Sequence, residues 1–431
     1  MATVTFADGF SADQLITLFQ EMQQNGVTTT PVIGDGPDSI TIADTAGNSI
    51  VLTGDFTVDD DDNEIHGTLT RIEISQGATV KATATDLGGL NAGDVVEHLS
   101  ETLSSGGAGV DELHDLFAIF GATAFHFEGG DGDDDLTGDD GDDVISGGLG
   151  DDHIHGGDGH DVLHGNAGDD DLDGGDGDDV LDGGKGDDTA DYSSEAGLGG
   201  VTASLMRNKG TDTFGNTDHF KSIEDISGSQ NDDNLTGDNK SNTIDGNDGN
   251  DNLRGLQGDD TLHGGNDDDS LVGAQGKDSL FGDDGNDTLS GGVGKDALDG
   301  GNGDDTLLGG NGKDIMEGGA GADTLKGGRG SDTFVFADLT GGPDTITDFK
   351  SHLDKIAIDF VPGAAETLDA NDFFLSGDPS GPASGQEALI YDKATGVLSY
   401  DADGTGGADG VEVAHLKPGA MLSKGDFDFV A

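Results

Sequence analysis

The sequence predicts a mainly β protein. Its central part is expected to be a solenoid of short parallel strands in two blocks, flanked by a small N-terminal α+β module and a β-rich C-terminal cap. A nonapeptide recurs nineteen times in register, every copy begins with glycine, and the eighth position is apolar in every copy, with Ala190 the weakest. A fixed period of this kind is the signature of stacked repeat architectures.

The repeats form two uninterrupted blocks. The first fills residues 129–191 with seven copies, from GGDGDDDLT to GGKGDDTAD, and the second fills 228–335 with twelve, from GSQNDDNLT to GGRGSDTFV. The remaining residues predict an N-terminal module of unknown role at 1–128, a spacer at 192–227 and a C-terminal cap at 336–431.

The segments outside the repeats have ordinary helix and hairpin patterns. Residues 11–25 predict a helix with a capping box at its start and one apolar face. Residues 50–58 and 64–74 alternate apolar and polar side chains around the acidic turn DDDDN, which predicts a hairpin. Helices are also expected near 93–104 and 110–120. The run ALIYDKATGVLSYD in the cap predicts a second hairpin.

The residue types of the nonapeptide predict its local structure. Glycines at positions one and four, and often at position two, allow tight turns whose carbonyl oxygens point inward. Positions seven to nine alternate polar, apolar and polar, which predicts a three-residue strand with one side chain facing in. Two nonapeptides complete one coil, so each strand is expected to stack on the strand two repeats away. The position-eight side chains then lie between two parallel sheets.

The charge of the chain excludes several classes of partner. The sequence has 89 Asp and Glu against 18 Lys and Arg, a formal charge of −71. Such a charge repels nucleic acids and anionic membranes, and no apolar run is long enough to span a bilayer. Divalent cations are the expected partners. The start MATVTFADGF has no visible export signal, and the absence of cysteine excludes disulfides and thiolate metal sites.

The sixth residue of the repeat is the candidate ligand for these cations. Stacking places one Asp above another, and carboxylates about 4 Å apart repel by about 4 kcal/mol at an effective dielectric constant near 20. A calcium ion between two carboxylates turns their repulsion into attraction. Calcium suits these sites because it binds carboxylate and carbonyl oxygens together. With each site drawing on repeats n and n+2, the two blocks hold at most about fifteen Ca²⁺ ions. The candidate ligands are Asp134, Asp143, Asp152, Asp161, Asp170, Asp179, Asp188, Asp233, Asp251, Asp260, Asp269, Asp278, Asp287, Asp296, Asp305, Asp314, Asp323 and Asp332, with Asn242 the one exception.

These repeats match the pattern GGxGxDxUx, in which x is any residue and U is a large apolar residue. The chain therefore resembles the RTX family of secreted bacterial proteins with hemolysin-type calcium-binding repeats. The resemblance implies a right-handed parallel β-roll, with ions held by the position-six Asp and by carbonyls of the glycine turn. The segments DTADYSS and HFKSIEDISGSQNDDNLTG resemble the family's spacer, and SDTFVF, DTITDF and DKIAI resemble its cap. The end GDFDFVA is similar to an uncleaved type I secretion signal, which implies a type I transporter as partner and an extracellular location.

Three other features allow alternative interpretations. His153, His155, His160 and His164 could form a transition-metal site, but exposed polar residues are the favoured interpretation. The acidic run 59–62 could bind calcium, but a charged hairpin tip is the favoured interpretation. The segment DADGTGG from Asp401 resembles half of an EF-hand loop but lacks its remaining ligands, so a hairpin loop is expected.

No catalytic motif was found in the sequence: HExxH, GxSxG and P-loop patterns are absent in a suitable context. The expectation is therefore a non-enzymatic surface, matrix or adhesion protein whose repeats fold on extracellular calcium, with a cell-surface or matrix polysaccharide as a further partner. The alternative is an RTX carrier of a small polysaccharide-acting enzyme in residues 1–128.

Overall fold

Among the residues that the computed structural model describes, nearly every regular element is a β-strand. The structure describes residues 2–6, 27–32, 38–44, 49–58, 65–76, 79–85, 125–129, 132–138, 141–337, 342–358, 373–375, 388–401 and 410–429. Within these ranges the helices are two short 3₁₀ turns, Leu205–Arg207 and Lys424–Asp426. No helix in the described ranges has the length and apolar character needed to cross a membrane.

The chain divides into two compact units. The first consists of Met1–Gly197 and Asn208–Ile223, and the second of Leu198–Arg207 and Glu224–Ala431. The segment between the repeat blocks therefore contributes residues to both units.

The first unit begins with a sheet. Its strands β2 to β6 are antiparallel neighbours in chain order, β6 also pairs with β1, and β1 pairs in parallel with β7. The hairpin expected at 50–58 and 64–74 is confirmed as the β4–β5 pair, but the helices expected at 11–25, 93–104 and 110–120 lie outside the described residues. The strands are β1 (Ala2–Phe6), β2 (Val27–Val32), β3 (Asp38–Asp44), β4 (Ser49–Val58), β5 (Ile65–Gln76), β6 (Thr79–Thr85) and β7 (Phe125–Glu128).

The first repeat block alternates its strands between two parallel sheets. The strands are β8 (Asp135–Thr137), β9 (Val144–Leu149), β10 (His153–Asp158), β11 (Val162–Ala167), β12 (Asp171–Asp176), β13 (Val180–Lys185) and β14 (Thr189–Asp191). Odd-numbered strands pair with one another, and even-numbered strands do the same. Leu163 faces Leu181 and Ile154 faces Leu172, so the expected coil of two repeats is confirmed.

Most strands of this block are longer than the predicted three residues. Strands β9 to β13 each have six residues, from position seven to position three of the next repeat. The ladder continues because the glycines let neighbouring coils approach closely. A Cβ on Gly156 would lie 2.5 Å from the carbonyl oxygen of Gly174.

The spacer interrupts the repeat pattern but continues the stacking within each unit. Its strands are β15 (Thr202–Ser204), β16 (Lys209–Thr211), β17 (Thr217–Lys221) and β18 (Asp225–Ser227). In the first unit, β17 pairs in parallel with β13 and places Phe220 beside Leu181. In the second, β15 places Ala203 beside Leu235.

The second block repeats the same two-sheet arrangement, again with an 18-residue register such as Leu271 with Leu289. Its strands are β19 (Asn234–Thr236), β20 (Thr243–Asp248), β21 (Asn252–Gln257), β22 (Thr261–Asn266), β23 (Ser270–Gly276), β24 (Ser279–Asp284), β25 (Thr288–Gly294), β26 (Ala297–Asp299), β27 (Thr306–Gly312), β28 (Ile315–Glu317), β29 (Thr324–Gly330) and β30 (Thr333–Phe336).

The C-terminal cap closes both stacks of the second unit. Strand β31 pairs with β29, β32 pairs with β30 and β37, and the expected hairpin around 393–396 is confirmed as β34–β35. The cap strands are β31 (Asp344–Ile346), β32 (Lys355–Ile358), β33 (Phe373–Leu375), β34 (Ala388–Asp392), β35 (Val397–Asp401), β36 (Val411–Leu416) and β37 (Phe427–Phe429).

The position-eight side chains form the predicted core between the sheets. From Leu136 to Phe334 each is at most 3% exposed. The neighbouring leucines of β27 differ sharply, because Leu307 is fully buried at position eight whereas Leu308 is 37% exposed at position nine.

We predict that Leu307→Ala lowers the free energy of unfolding of the calcium-loaded protein by about 2–5 kcal/mol, because it opens a cavity in the ladder. The matched variant Leu308→Ala removes the same atoms from the surface and should cost less than about 1 kcal/mol. Urea denaturation at saturating calcium measures both values. Equal losses for the two variants would contradict the assigned core.

Candidate metal centre

The position-six aspartates lie inside the turns that join the two sheets. Each directly precedes a strand, and all but Asp233 and Asp269 lie two residues after a glycine at position four. All eighteen candidates, from Asp134 to Asp332, are at most 3% exposed. Such deep burial is rare for Asp unless its charge is compensated.

One carboxylate oxygen of each aspartate ties neighbouring coils together. The backbone N–H of Asp134 donates to Oδ1 of Asp152 at 2.8 Å, and that of Asp251 donates to Oδ1 of Asp269 at 2.7 Å. The same bond recurs along both blocks between aspartates two repeats apart. The aspartates therefore stack in register, as the period predicts.

The second carboxylate oxygen has no hydrogen-bond donor in most of these residues. A buried anionic oxygen left in this way is strongly unfavourable unless a cation or a proton compensates it. The aspartates with such an Oδ2 atom are Asp152, Asp161, Asp170, Asp179, Asp251, Asp260, Asp269, Asp278, Asp287, Asp296, Asp305, Asp314 and Asp332.

The first glycine of the repeat brings a main-chain oxygen close to this atom. Oδ2 of Asp251 and the carbonyl oxygen of Gly264 lie 2.2 and 2.5 Å from the point that a Cβ on Gly246 would occupy. Any side chain at this position would collide with both oxygens. The glycine thus allows a carboxylate from one coil and a carbonyl from an adjacent coil to lie on the same side of the turn.

These donors fit a hard divalent cation. Calcium binds carboxylate and carbonyl oxygens together and tolerates irregular geometry. Among the described residues, no group of three or more His, Asp or Glu side chains is arranged to hold a metal. A ligand set of carboxylates supplemented by main-chain carbonyls is consistent with that finding, and it suits calcium better than a transition metal.

Three of the four histidines singled out in the sequence, His155, His160 and His164, contact aspartates through their rings. Nδ1 of His155 lies 2.8 Å from Oδ2 of Asp173, which raises the pKa of His155. His160 accepts a hydrogen bond from the N–H of Asp178 at 2.9 Å. The described residues therefore give no support to a transition-metal site at these histidines.

Burial raises the pKa of the position-six carboxyl groups from Asp152 to Asp179 and from Asp233 to Asp332. The pKa is about 8 for Asp179 and Asp269 and about 7 for Asp152 and Asp251. Desolvation is the largest cause, and nearby carboxylates on adjoining coils add to it. Without a cation these sites favour protons near neutral pH.

Two positions at the start of the second block differ from the rest. Both oxygens of Asp233 accept hydrogen bonds, from the N–H of Val201 at 2.6 Å and from Ser229, so this candidate is better satisfied than the others. Asn242 donates to the carbonyl of Glu224 and accepts from the N–H of Asp238. Its amide needs no cation, as the sequence exception predicts.

Three aspartates outside the repeats occupy equivalent places. Asp179 donates its N–H to Asp218 at 3.2 Å, Asp323 to Asp344 at 3.1 Å and Asp332 to Asp354 at 3.2 Å. The candidate set did not include Asp218, Asp344 or Asp354. The short pattern xDxUx, present as TDHFK, PDTIT and LDKIA, is the signal that could have identified them.

A family model for RTX calcium-binding nonapeptide repeats matches residues 128–163, 155–190, 227–262, 245–280, 263–298, 272–307 and 299–334. The matched residues, 128–190 and 227–334, are RTX calcium-binding nonapeptide repeats. RTX repeats bind calcium, which agrees with the oxygen donors of the turns, and the two repeat blocks form the parallel β-roll. The repeat region is a structural RTX β-roll.

Two solved structures are similar to this chain. The AlgE6R3 subunit from the Azotobacter vinelandii mannuronan C5-epimerase is 23% identical, with 38% of this chain and 78% of that chain covered and a TM-score of 0.21. The extracellular lipase LipA from Serratia marcescens is 16% identical, with 70% of this chain and 39% of that chain covered and a TM-score of 0.18. A search of curated proteins gave no match.

We predict opposite effects of acid on the calcium-free and calcium-loaded RTX repeats. In the calcium-free fold the pKa values of about 6 to 8 exceed the unfolded value of 3.8, so the fold binds more protons. Its stability should therefore fall as pH rises from about 4 to about 8. Far-UV circular dichroism of calcium-stripped protein should show more strand at pH 5 than at pH 7.5.

Calcium affinity should change in the other direction, because protons compete for the same oxygens. The calcium concentration at the folding midpoint should rise as pH falls from about 8 to about 5. A midpoint that is independent of pH would contradict the assignment of the carboxylates as ligands.

A single isosteric substitution separates the ligand charge from its hydrogen bond. Asp287→Asn keeps an acceptor for the N–H of Asp269 but removes the charge, and should weaken calcium binding at that site by about tenfold or more. The control Asp268→Asn changes the exposed aspartate of position five, whose carboxylate accepts hydrogen bonds from Asn286. Calorimetric calcium titration should show a loss for the first variant only.

Proposed function

We propose that this chain is a secreted, non-enzymatic calcium-binding protein whose repeats fold when calcium binds outside the cell. The observation that supports this proposal is the buried Oδ2 atom without a hydrogen-bond donor, repeated in coil after coil. Stacked carboxylates oppose the calcium-free fold, and calcium between them favours the folded one. Binding energy thus becomes folding energy.

The calcium levels on the two sides of a cell surface suit this coupling. Extracellular calcium modules have dissociation constants of about 10⁻⁴–10⁻³ M. At cytosolic calcium levels such sites stay empty, and the acidic repeats remain unfolded and able to pass through a type I transporter. Outside, calcium drives folding and opposes return through the channel.

The position of the C-terminal segment supports this order of events. Residues of GDFDFVA form β37, which pairs with β32, and Asp426 is fully buried. Its carboxylate accepts hydrogen bonds from Ser351, His352 and Ser423. A transporter that reads this segment would therefore need to do so before the cap folds.

We propose a surface or matrix role for the folded protein, with a polysaccharide as a further partner. The second candidate, a carrier of a small polysaccharide-acting enzyme, depends on residues 1–128, most of which lie outside the described ranges.

The test is a calcium titration of the full chain followed by far-UV circular dichroism. We expect little repeat strand in chelator and a cooperative gain at about 10⁻⁴–10⁻³ M calcium, with magnesium far less effective. A strand signal that is complete in chelator and unchanged by calcium would refute the proposal.

A further inference from the structure

The second unit sorts its charges by face. Strands β23, β25, β27 and β29, each with the turn residues that follow it, comprise residues 270–277, 288–295, 306–313 and 324–331, which we call the basic face. This face contains no Asp or Glu, although the chain has 89 acidic and 18 basic residues. Its five cations are all exposed: Lys277, Lys295, Lys313, Lys326 and Arg329.

The other sheet of the same coils has the opposite charge. Strands β24, β26 and β28 with their following turns, residues 279–286, 297–304 and 315–322, contain no Lys or Arg. Their carboxylates are Asp283, Asp284, Asp299, Asp304 and Glu317. Since both sheets belong to the same coils, the charge alternates from one repeat to the next rather than being scattered evenly along the sequence.

Three of the cations form a row. Lys277, Lys295 and Lys313 occupy position five in successive coils, whose strands pair with an 18-residue register. Adjacent coils place them about 4.8 Å apart at the backbone. Like charges at this spacing repel, so an unliganded row is unfavourable.

A carboxylate adjoins this row at one end only, where Oδ1 of Asp259, the position-five residue of the preceding coil, accepts a hydrogen bond from the Lys277 N–H at 2.8 Å. Among the residues that the structure describes, the lysines of the second unit that form salt bridges are Lys240, Lys350 and Lys355. The five cations of the basic face form none. An external anion is therefore the natural counterpart of the row.

Calcium strengthens the positive potential of this face. Each lysine of the row directly precedes a buried position-six aspartate: Asp278, Asp296 or Asp314. Calcium at these aspartates neutralises the nearest negative charges. The basic face should therefore attract anions most strongly in the calcium-loaded protein.

We propose that the basic face binds a linear acidic polysaccharide. A straight row of evenly spaced cations matches a polymer with regularly spaced anionic groups, and the binding of such a polymer gains from counterion release and multivalency. Exposed hydroxyl and amide groups on the strands, such as Thr288, Thr306 and Asn311, can hydrogen bond to sugar hydroxyls. The face has no Phe, Tyr or Trp, the usual anchors of a protein interface. This inference rests on the proposed surface or matrix role and identifies its ligand class.

The test measures binding of the full chain to defined polymers in millimolar calcium. Polygalacturonate supplies carboxylates, heparin supplies sulfates, and neutral dextran and duplex DNA complete the set. We expect salt-sensitive binding to one or both acidic polysaccharides and none to dextran. The triple variant K277Q/K295Q/K313Q should bind about tenfold or more weakly.

The control K185Q/K209Q/K417Q removes the same charge from exposed lysines elsewhere and should bind as the unmodified chain does. The proposal would be overturned by equal binding of the two triple variants, by tighter binding to DNA than to either polysaccharide, or by a chain that self-associates through these lysines without binding polymer.

Far-UV circular dichroism of the same samples distinguishes failure of the basic-face proposal from failure of the proposed function. A chain that folds with calcium but binds no polymer contradicts only the basic-face proposal, whereas absence of calcium-induced folding contradicts the proposed function.

Discussion

The fold depends on one contact made between successive coils: the backbone N–H of one position-six aspartate donates to Oδ1 of the aspartate two repeats later. This bond stacks the coils in register. It also fixes a column of buried carboxylates whose Oδ2 atoms lack donors, as in Asp269 and Asp287. Cohesion of the stack and its need for a cation thus have the same origin, so calcium binding and folding are expected to occur together.

Much of this arrangement is predictable from the sequence because it repeats. The 18-residue register, the position-eight core and the inward aspartates follow from glycine, alternation and period. The strand length was wrong, because the prediction ended each strand at position nine and the glycines of positions one and two continue the ladder. The role of Asp218 was missed since it stacks on Asp179 across 39 residues, outside the period.

The ions also change how the composition is understood. A formal charge of −71 with few aromatic residues is typical of disordered chains. Fifteen calcium ions would reduce the negative charge from −71 to −41, and the neutralised carboxylates lie inside the turns. The remaining charge is unevenly distributed. Between residues 270 and 331, one sheet of the second unit carries carboxylates and the other presents lysines and one arginine. Calcium therefore has two expected effects: it folds the coils, and it makes the potential of the basic face more positive.

The most direct test of the central claim is the number of calcium ions bound by the folded full-length chain, measured by equilibrium dialysis with radioactive calcium at saturation. The account predicts between about ten and fifteen ions per chain, because nearly every pair of stacked aspartates should hold one. A fully folded chain that binds about three ions or fewer would contradict it, since most of the buried carboxylates would then be compensated by something other than calcium.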